Sequence, residues 1–556
     1  MEENTEVLYN PINVMSRIRK SFRSMIGLHD VRSDNVNSTV SEQKGMIWAI
    51  CLPSNCTDED VKKVFNRIFG TESVRCQIKD DLSPPLTNGA IATIVVLAAF
   101  SGLLVVSTAM DLYFQLKHTE PSNGILVAFS VLSNGRKLFR INKNSNELTC
   151  LNGIRFFSML WWTETLRSMA IVSGTMSVDS FLLLGGALLV YSYFKAKHQG
   201  LKFNIYQFYI HRYLRLTPAL AALILVITTL APYMGTGPLW DNVTTTLVKP
   251  CQRYWWTTLL YIQNYANEDF VLCLGHSWYL SVDMQLYIVS PLILIPLWRY
   301  SKIGVGVIIT CIIVFIAVPF SIAYVTQIPA LVTNLYALDS YMDYTRYYYI
   351  KTHARPAPWF IGLLLGYLLA KVKFQNGLKT LKLKKVAVII SWAVCITVTL
   401  TCVFGGHSTL TGPEFDLLGN TFYIGFVRPT WALCLAFVIF FCVTGNGVSL
   451  NVFIFHIVLS DLKKENILGP IDWFLSWPIY QVLNRFTYSV YLLHYPLLVM
   501  LAYSKKAGDY FDEMSAVYSF WGITMFSFGA SILWVLAFES PVVAIEKFIF
   551  KATKKR

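Results

Sequence analysis

The chain has 556 residues and a formal net charge of +14; 54% of its residues are apolar and only 14% are charged. Soluble domains carry about 25% charged residues, so this composition excludes an ordinary water-facing surface. Apolar runs of about 20 residues, the length that crosses the hydrocarbon layer, recur along the chain. The basic residues fall in short loops between these runs, as in membrane proteins, which argues against a nucleic-acid partner.

The first predicted element is a polar segment, residues 1–86, which we interpret as part of a lumenal domain. It contains three cysteines, Cys51, Cys56 and Cys76. An odd number leaves at least one of them without a partner inside the segment, and the opening residues do not form a secretory signal. We therefore expect the upstream part of this domain to be missing from the chain.

An all-α bundle of about eleven transmembrane spans is predicted to follow. The spans are expected near residues 90–113, 154–172, 176–194, 216–233, 278–297, 303–325, 357–370, 386–404, 422–443, 486–504 and 517–538. The loops after alternate spans are basic. Placing all of them in the cytosol requires a lumenal N-terminus and a cytosolic C-terminus.

This pattern divides the chain into four parts. After the lumenal segment 1–86 come a first span with a cytosolic linker at 87–145, a transmembrane domain at 146–540 and a basic cytosolic tail at 541–556. Membrane lipids are therefore expected partners.

The asparagine sequons and two cysteines agree with this orientation. The three N-x-[ST] sequons, predicted glycosylation sites, are at Asn37, Asn55 and Asn242, all on the predicted lumenal side. Cys251 and Cys273 lie in the same loop as Asn242. They are predicted to form a disulfide, because that side of the membrane is oxidising.

Ionisable side chains inside spans are costly, so each is a candidate for function. In HSWYLSVDMQL, His276, Tyr279 and Asp283 are spaced three and four apart and are predicted to share one helix face. His276 and Asp283 are catalytic candidates and Tyr279 is a candidate for substrate binding. The alternative is that all three hydrogen-bond a neighbouring helix.

Two further segments carry the same kind of pattern. Arg212 and Arg215 share a face in HRYLRLTPAL and are predicted to bind a phosphate, unless they only anchor the span. In NRFTYSVYLLHYPL, Tyr491 and His494 are three residues apart, and His494 is a third catalytic candidate. Arg485 in this segment is a candidate for substrate binding.

The remaining substrate-binding candidates are Arg155, Asp179, Arg355 and Arg428. Asp179 either pairs with an arginine across the bundle or orients a catalytic group. The glycines near Gly185 and from Gly362 to Gly366 predict close helix packing. No zinc-ligand spacing, nucleotide loop or dinucleotide fingerprint is present, so no bound metal or cofactor is expected.

A set of motifs carries a family resemblance. In chain order these are CLPSNC, LNGIRFFSMLW, SVDSFLLLGG, HRYLRLTPALA, CLGHSWYLSVDMQLYIVSPL, RPAPWFIGLLLGYLLA, RPTWALCLA and LNRFTYSVYLLHYPLL. From about Cys51 to its C-terminus the chain resembles the nose-resistant-to-fluoxetine branch of the membrane-bound acyltransferase-3 family. The resemblance implies transfer of acyl groups, other than amino-acyl groups, from acyl-CoA as co-substrate to a lipid or small-molecule hydroxyl. The expected location is the endoplasmic reticulum or the plasma membrane.

The chain departs from the family pattern at two positions. Family members usually carry an arginine followed eleven residues later by a histidine, which would act as general base. Here the arginine is Arg155 and the later residue is Leu166, while Gly185 replaces the usual serine. Either His276 with Asp283, or His494, takes over as base, or the protein has lost catalysis and binds or transports lipids or xenobiotics.

Overall fold

The described part of the chain is entirely helical. A computed structural model describes residues 85–119, 124, 126–141, 148–161, 173–237, 239–267, 271–329, 343–376, 385–405, 416–444, 470–505 and 513–554. Every regular element in these ranges is a helix, which confirms the predicted all-α class. The predicted glycosylation sites Asn37 and Asn55, the three N-terminal cysteines and Leu166 lie outside the described residues.

The longer helices are numbered here in chain order. They are α1 (Asn88–Leu116), α2 (Val131–Phe139), α3 (Cys150–Trp161), α4 (Ser177–His198), α5 (Ile205–Thr229), α6 (Lys249–Leu259), α7 (Trp278–Val289), α8 (Pro291–Arg299), α9 (Ser301–Thr326), α10 (Pro356–Lys371), α11 (Lys385–Phe404), α12 (Leu417–Val443), α13 (Thr487–Tyr503), α14 (Glu513–Trp534) and α15 (Ser540–Lys554).

Short helical turns connect these helices. They are Ser173–Met176, Ala231–Tyr233, Asp241–Val243, Thr244–Val248, Gln263–Ala266, Gly275–Ser277, Tyr344–Tyr349, Thr352–Ala354, Val372–Asn376, Pro470–Leu475, Pro478–Leu483 and Val535–Glu539.

Eight helices of the described part are long and apolar enough to cross a membrane, and a ninth is a bent pair, α7 with α8, that turns by 40°. The protein is therefore an integral membrane protein, but these helices do not reach the predicted count of about eleven. Two predicted spans account for the difference. Span 154–172 is described only as far as Trp161, and α13 has 17 residues. At 1.5 Å per residue α13 is about 25 Å long, shorter than a hydrocarbon layer of about 30 Å.

The C-terminal helices continue past the predicted start of the basic tail, and that boundary stays a prediction. A helical turn at Val535–Glu539 joins α14 to α15, so the last apolar span extends from Val517 to Phe548. The predicted boundary at residue 541 therefore falls inside a continuous helical segment. The orientation of the two termini stays a prediction.

The core of the bundle is built on close packing of α4 against α10. The Gly362 Cα faces the Leu183 carbonyl of α4, and an added Cβ would lie well inside contact distance of that oxygen. A Cβ added to Gly366 would overlap the Ala187 carbonyl of α4 in the same way. Small residues let two helix backbones approach in this way, as the sequence predicted. Leu182, Leu183 and Leu363 are fully buried beside this contact.

Candidate active site

One cavity of about 240 Å³ is lined by six of the eleven predicted catalytic and substrate-binding residues. Side chains from six helices, α3, α4, α5, α7, α13 and α14, line it. The predicted site residues in its wall are Arg155, Arg212, Arg215, Tyr279, Asp283 and His494. Much of the remaining wall is apolar, including Phe181, Leu216 and Val490. A mostly apolar pocket with a few convergent polar groups is typical of a small-molecule site.

Positive charge exceeds negative charge in the cavity wall. Arg212 forms an ion pair with Asp283, and its guanidinium lies 4.3 Å from the centre of the Tyr287 ring. Among the described residues, Arg155 and Arg215 form no ion pair. The predicted face shared by Arg212 and Arg215 therefore lies on the cavity. Three guanidinium groups beside one carboxylate attract an anion, and guanidinium groups match phosphate oxygens well.

His494 lines this cavity and carries an unpaired ring nitrogen. Its Nδ1 lies 3.2 Å from the Val490 carbonyl oxygen, one turn earlier on α13. Because a carbonyl oxygen only accepts, Nδ1 carries the proton and Nε2 is the unprotonated nitrogen. Nε2 has no hydrogen-bond partner in the described structure. This is the tautomer that a general base requires.

His276 lies behind the cavity wall and does not contribute to it. The periodicity argument assumed that His276 belongs to the same helix as Tyr279 and Asp283, but α7 begins only at Trp278. His276 belongs to the preceding turn Gly275–Ser277, so its side chain is not on their face. Its ring centre is 5.2 Å from that of His494. Neither ring nitrogen makes a hydrogen bond of good geometry, although the Leu492 backbone lies nearby.

A strained turn fixes the position of His276. Leu274 has a φ of 55°, a left-handed conformation that costs a leucine about 1 kcal/mol or more. Complete burial of its side chain offsets this cost. The Ser277 hydroxyl donates to the Leu274 carbonyl at 2.8 Å.

The structure also joins Cys251 to Cys273 by a disulfide. Formation of this disulfide in the cell stays a prediction.

Asp179, Arg355 and Arg428 do not line this cavity but pair with one another. Arg355 donates from Nη1 to both Asp179 oxygens at 3.1 and 3.2 Å. Arg428 Nε lies 3.7 Å from the same carboxylate. All three side chains are at most 7% exposed. The structure thus gives Asp179 the cross-bundle pairing that the sequence left open, rather than a place in the cavity.

Aromatic rings surround the two arginines of this triad. The Arg355 guanidinium lies 4.9 Å from the Trp278 ring centre and 4.5 Å from that of Tyr349. Arg428 lies 4.0 Å from the Tyr348 ring centre. Cation–π contacts of this kind lower the cost of burying a second guanidinium beside one carboxylate.

Arg485 and Asn242 also lie away from the cavity. Arg485 donates from Nη1 to the carbonyls of Lys137 and Leu138 at 2.6 and 2.5 Å, which satisfies the C-terminal end of α2. This contact gives Arg485 a structural role. Asn242 is half-buried in the short helix Asp241–Val243, and its glycosylation stays a prediction.

The cavity also contains hydroxyl groups that sequence reasoning missed. They belong to Ser177, Thr487, Thr524 and Ser527. Thr524 and Ser527 are three residues apart in an apolar helix, and this spacing was the signal that could have identified them. No group of three metal-ligating side chains occurs among the described residues.

Comparison with known proteins identifies the family of this chain. A family model of the acyltransferase-3 family, described as an acyltransferase domain, matches residues 149–539. The chain belongs to the acyltransferase-3 family. The matched region lies within the predicted transmembrane domain 146–540 and contains every residue of the cavity wall.

Two relatives from Caenorhabditis elegans extend the comparison. "Nose resistant to fluoxetine protein 6" is 26% identical over 91% of this chain and 67% of its own length. "Regulator of hypoxia-inducible factor 1" is 24% identical over 66% of this chain and 69% of its own length. The first supports the predicted branch of the acyltransferase-3 family. No solved structure matches the chain.

One departure from the acyltransferase-3 pattern lies directly on the cavity. A Cβ added to Gly185 would be 3.5 Å from Asp283 Oδ1. A serine at this position would bring a hydroxyl within reach of the carboxylate that holds Arg212. Glycine instead leaves this part of the wall open.

Proposed function

We propose that this protein is a membrane-bound acyltransferase that moves an acyl group from acyl-CoA to the hydroxyl of a lipid or small molecule. The observation that carries the proposal is that Arg155, Arg212 and Arg215 line one cavity together with His494, whose Nε2 is unpaired. Family membership supports acyl transfer in general. The donor and the acceptor class are those that the family resemblance implies, and the arginines and apolar wall of the cavity fit them.

The three arginines would hold the phosphates of the donor. His494 Nε2 would take the proton of the acceptor hydroxyl while the acceptor oxygen attacks the thioester carbonyl. The carbon–sulfur bond then breaks, and the CoA thiolate leaves with the proton that His494 returns. At the end of acyl transfer to an oxygen, His494 is again neutral. The reaction therefore needs no bound cofactor.

Among the three catalytic candidates, geometry favours His494. Asp283 is held in an ion pair with Arg212, so it orients that arginine rather than accepting a proton. His276 does not line the cavity; its ring packs behind those of His494 and Tyr491, which do. His494 would thus supply the base that Leu166 cannot supply.

A single-turnover assay with purified protein in lipid and radiolabelled acyl-CoA tests the proposal. His494→Gln is expected to reduce transfer about 100-fold or more, the usual contribution of a general base. His353→Gln, a change in a turn away from the cavity, is the matched control. Loss of transfer in His276→Gln, with His494→Gln unaffected, would move the base to His276.

The alternative function is lipid or xenobiotic binding or transport without catalysis. Leu166 favours it, because leucine cannot take a proton. Absence of transfer by the native protein, with transfer gained in Leu166→His, would select this alternative.

A further inference from the structure

Two side chains of α14 that line the cavity carry hydroxyls without a hydrogen-bond partner. Thr524 is 4% exposed and Ser527 is 1% exposed. Neither Thr524 Oγ1 nor Ser527 Oγ has a hydrogen-bond partner in the structure. Buried hydroxyls without partners are rare in proteins, and each one calls for a missing partner.

Some other helical hydroxyls of this chain bond within their own helix, whereas Ser281 of α7 and Thr421 of α12, away from the cavity, are unpaired too. Ser531, one turn after Ser527 on the same helix, donates to the Phe528 carbonyl at 2.7 Å. Thr228 and Thr399 bond carbonyls one turn earlier in α5 and α11, both at 2.8 Å. A helical serine or threonine in an apolar span normally turns back in this way. The hydroxyls of Thr524 and Ser527 do not.

The side chains that carry the unpaired groups surround one space. Ser177 Oγ on α4 and His494 Nε2 on α13 also lack partners, and both residues line the cavity. A sphere of 240 Å³ is about 8 Å wide, so a small molecule inside it contacts several of these side chains at once. One hydroxyl on a ligand cannot satisfy all four.

We propose that Thr524 and Ser527 bind a second hydroxyl of the acceptor while its reacting hydroxyl lies at His494 Nε2. The acceptor class is therefore a compound with at least two hydroxyls a few bonds apart on an apolar body. The assignment of a reacting hydroxyl rests on the proposed function. Thr524 and Ser527 act as specificity-determining residues and take no part in proton transfer.

Octane-1,2-diol and octan-1-ol form a matched pair of probe acceptors. Thr524→Val keeps the shape of the side chain and removes the hydroxyl, and Ser527→Ala removes the other. Each is expected to raise the KM for the diol about tenfold, the value of one hydrogen bond, with kcat and the KM for octan-1-ol unchanged. Ser531→Ala is the control, since its hydroxyl is already paired within the helix.

Binding is measured beside transfer so that the two proposals are tested separately. The diol is expected to raise the Tm of the native protein more than octan-1-ol does, and Ser527→Ala to abolish that difference. This pattern without any transfer would support the present inference and overturn the proposed reaction. Equal KM changes for both probes, or equal Tm shifts, would overturn the inference whether or not transfer occurs.

Discussion

Removing the carboxylate of the buried Asp179–Arg355–Arg428 triad should cost more stability than removing either arginine's charge. Asp179→Asn preserves shape but leaves two guanidinium groups with no anion among the described side chains around them. Breaking a buried ion pair from one side costs about 3–5 kcal/mol, and here two cations lose their partner. We expect Asp179→Asn to lie at the upper end of that range.

Arg428→Met should cost far less, because it leaves one cation and one anion. The remaining Arg355–Asp179 pair keeps both of its hydrogen bonds. What is lost is an ion contact of 3.7 Å, a long hydrogen bond of 3.4 Å to Tyr344 and the contact with the Tyr348 ring. These weak contacts sum to about 1–2 kcal/mol, and removal of the excess charge offsets part of it.

The free energy of unfolding of both variants and of their double mutant is measured by SDS-induced unfolding in mixed micelles, followed by circular dichroism. The double mutant should be more stable than Asp179→Asn alone, because one of the two unpaired cations is gone. An Arg428→Met variant as unstable as Asp179→Asn would refute the reasoning. A raised KM for acyl-CoA in a stable Arg428→Met would instead favour substrate binding by Arg428.

Two further changes test the packing and the disulfide. Gly362→Ala should destabilise the bundle by about 1–3 kcal/mol or more in the same unfolding assay, since the new methyl overlaps the Leu183 carbonyl. Gly306→Ala, whose Cβ meets nothing within 4 Å, is the neutral or stabilising control, and equal losses in both would contradict the packing argument. Replacing Cys251 and Cys273 by alanine should cost about 3 kcal/mol for a bridge spanning 22 residues, and non-reduced peptide mass spectra should show the native cross-link. Unchanged unfolding of the double variant, or a native spectrum without the cross-linked peptide, would show that the bridge does not form.

Local spacing predicted the site wherever both residues belong to one helix. Arg212 with Arg215 and Tyr491 with His494 lie three residues apart within α5 and α13, and each pair lines the cavity. The same rule failed for His276, because α7 begins two residues after it. Periodicity carries no information about where a helix begins, and the left-handed Leu274 that precedes the turn is not visible in composition.

Contacts between distant helices were beyond prediction in detail. Asp179 and Arg355 are 176 positions apart, and the sequence offered several arginines as partners. The choice among them depends on how α4 packs against α10, which the glycines indicate only in part. The unpaired state of Thr524 and Ser527 is likewise a property of the packed bundle, since each hydroxyl has a carbonyl of its own helix as a possible partner.

The presence of Leu166 in place of the usual histidine changes what holds the proposed catalytic groups together. In the family pattern the arginine and the base share one helix, so their spacing is fixed locally. In the proposed site Arg155 lies on α3 and the base on α13, so their distance depends on packing between the two helices. Asn484, just before α13, donates to Asn152 of α3 at 2.7 Å and ties these elements together. Activity in this chain would therefore depend on a tertiary contact that a one-helix pair does not need.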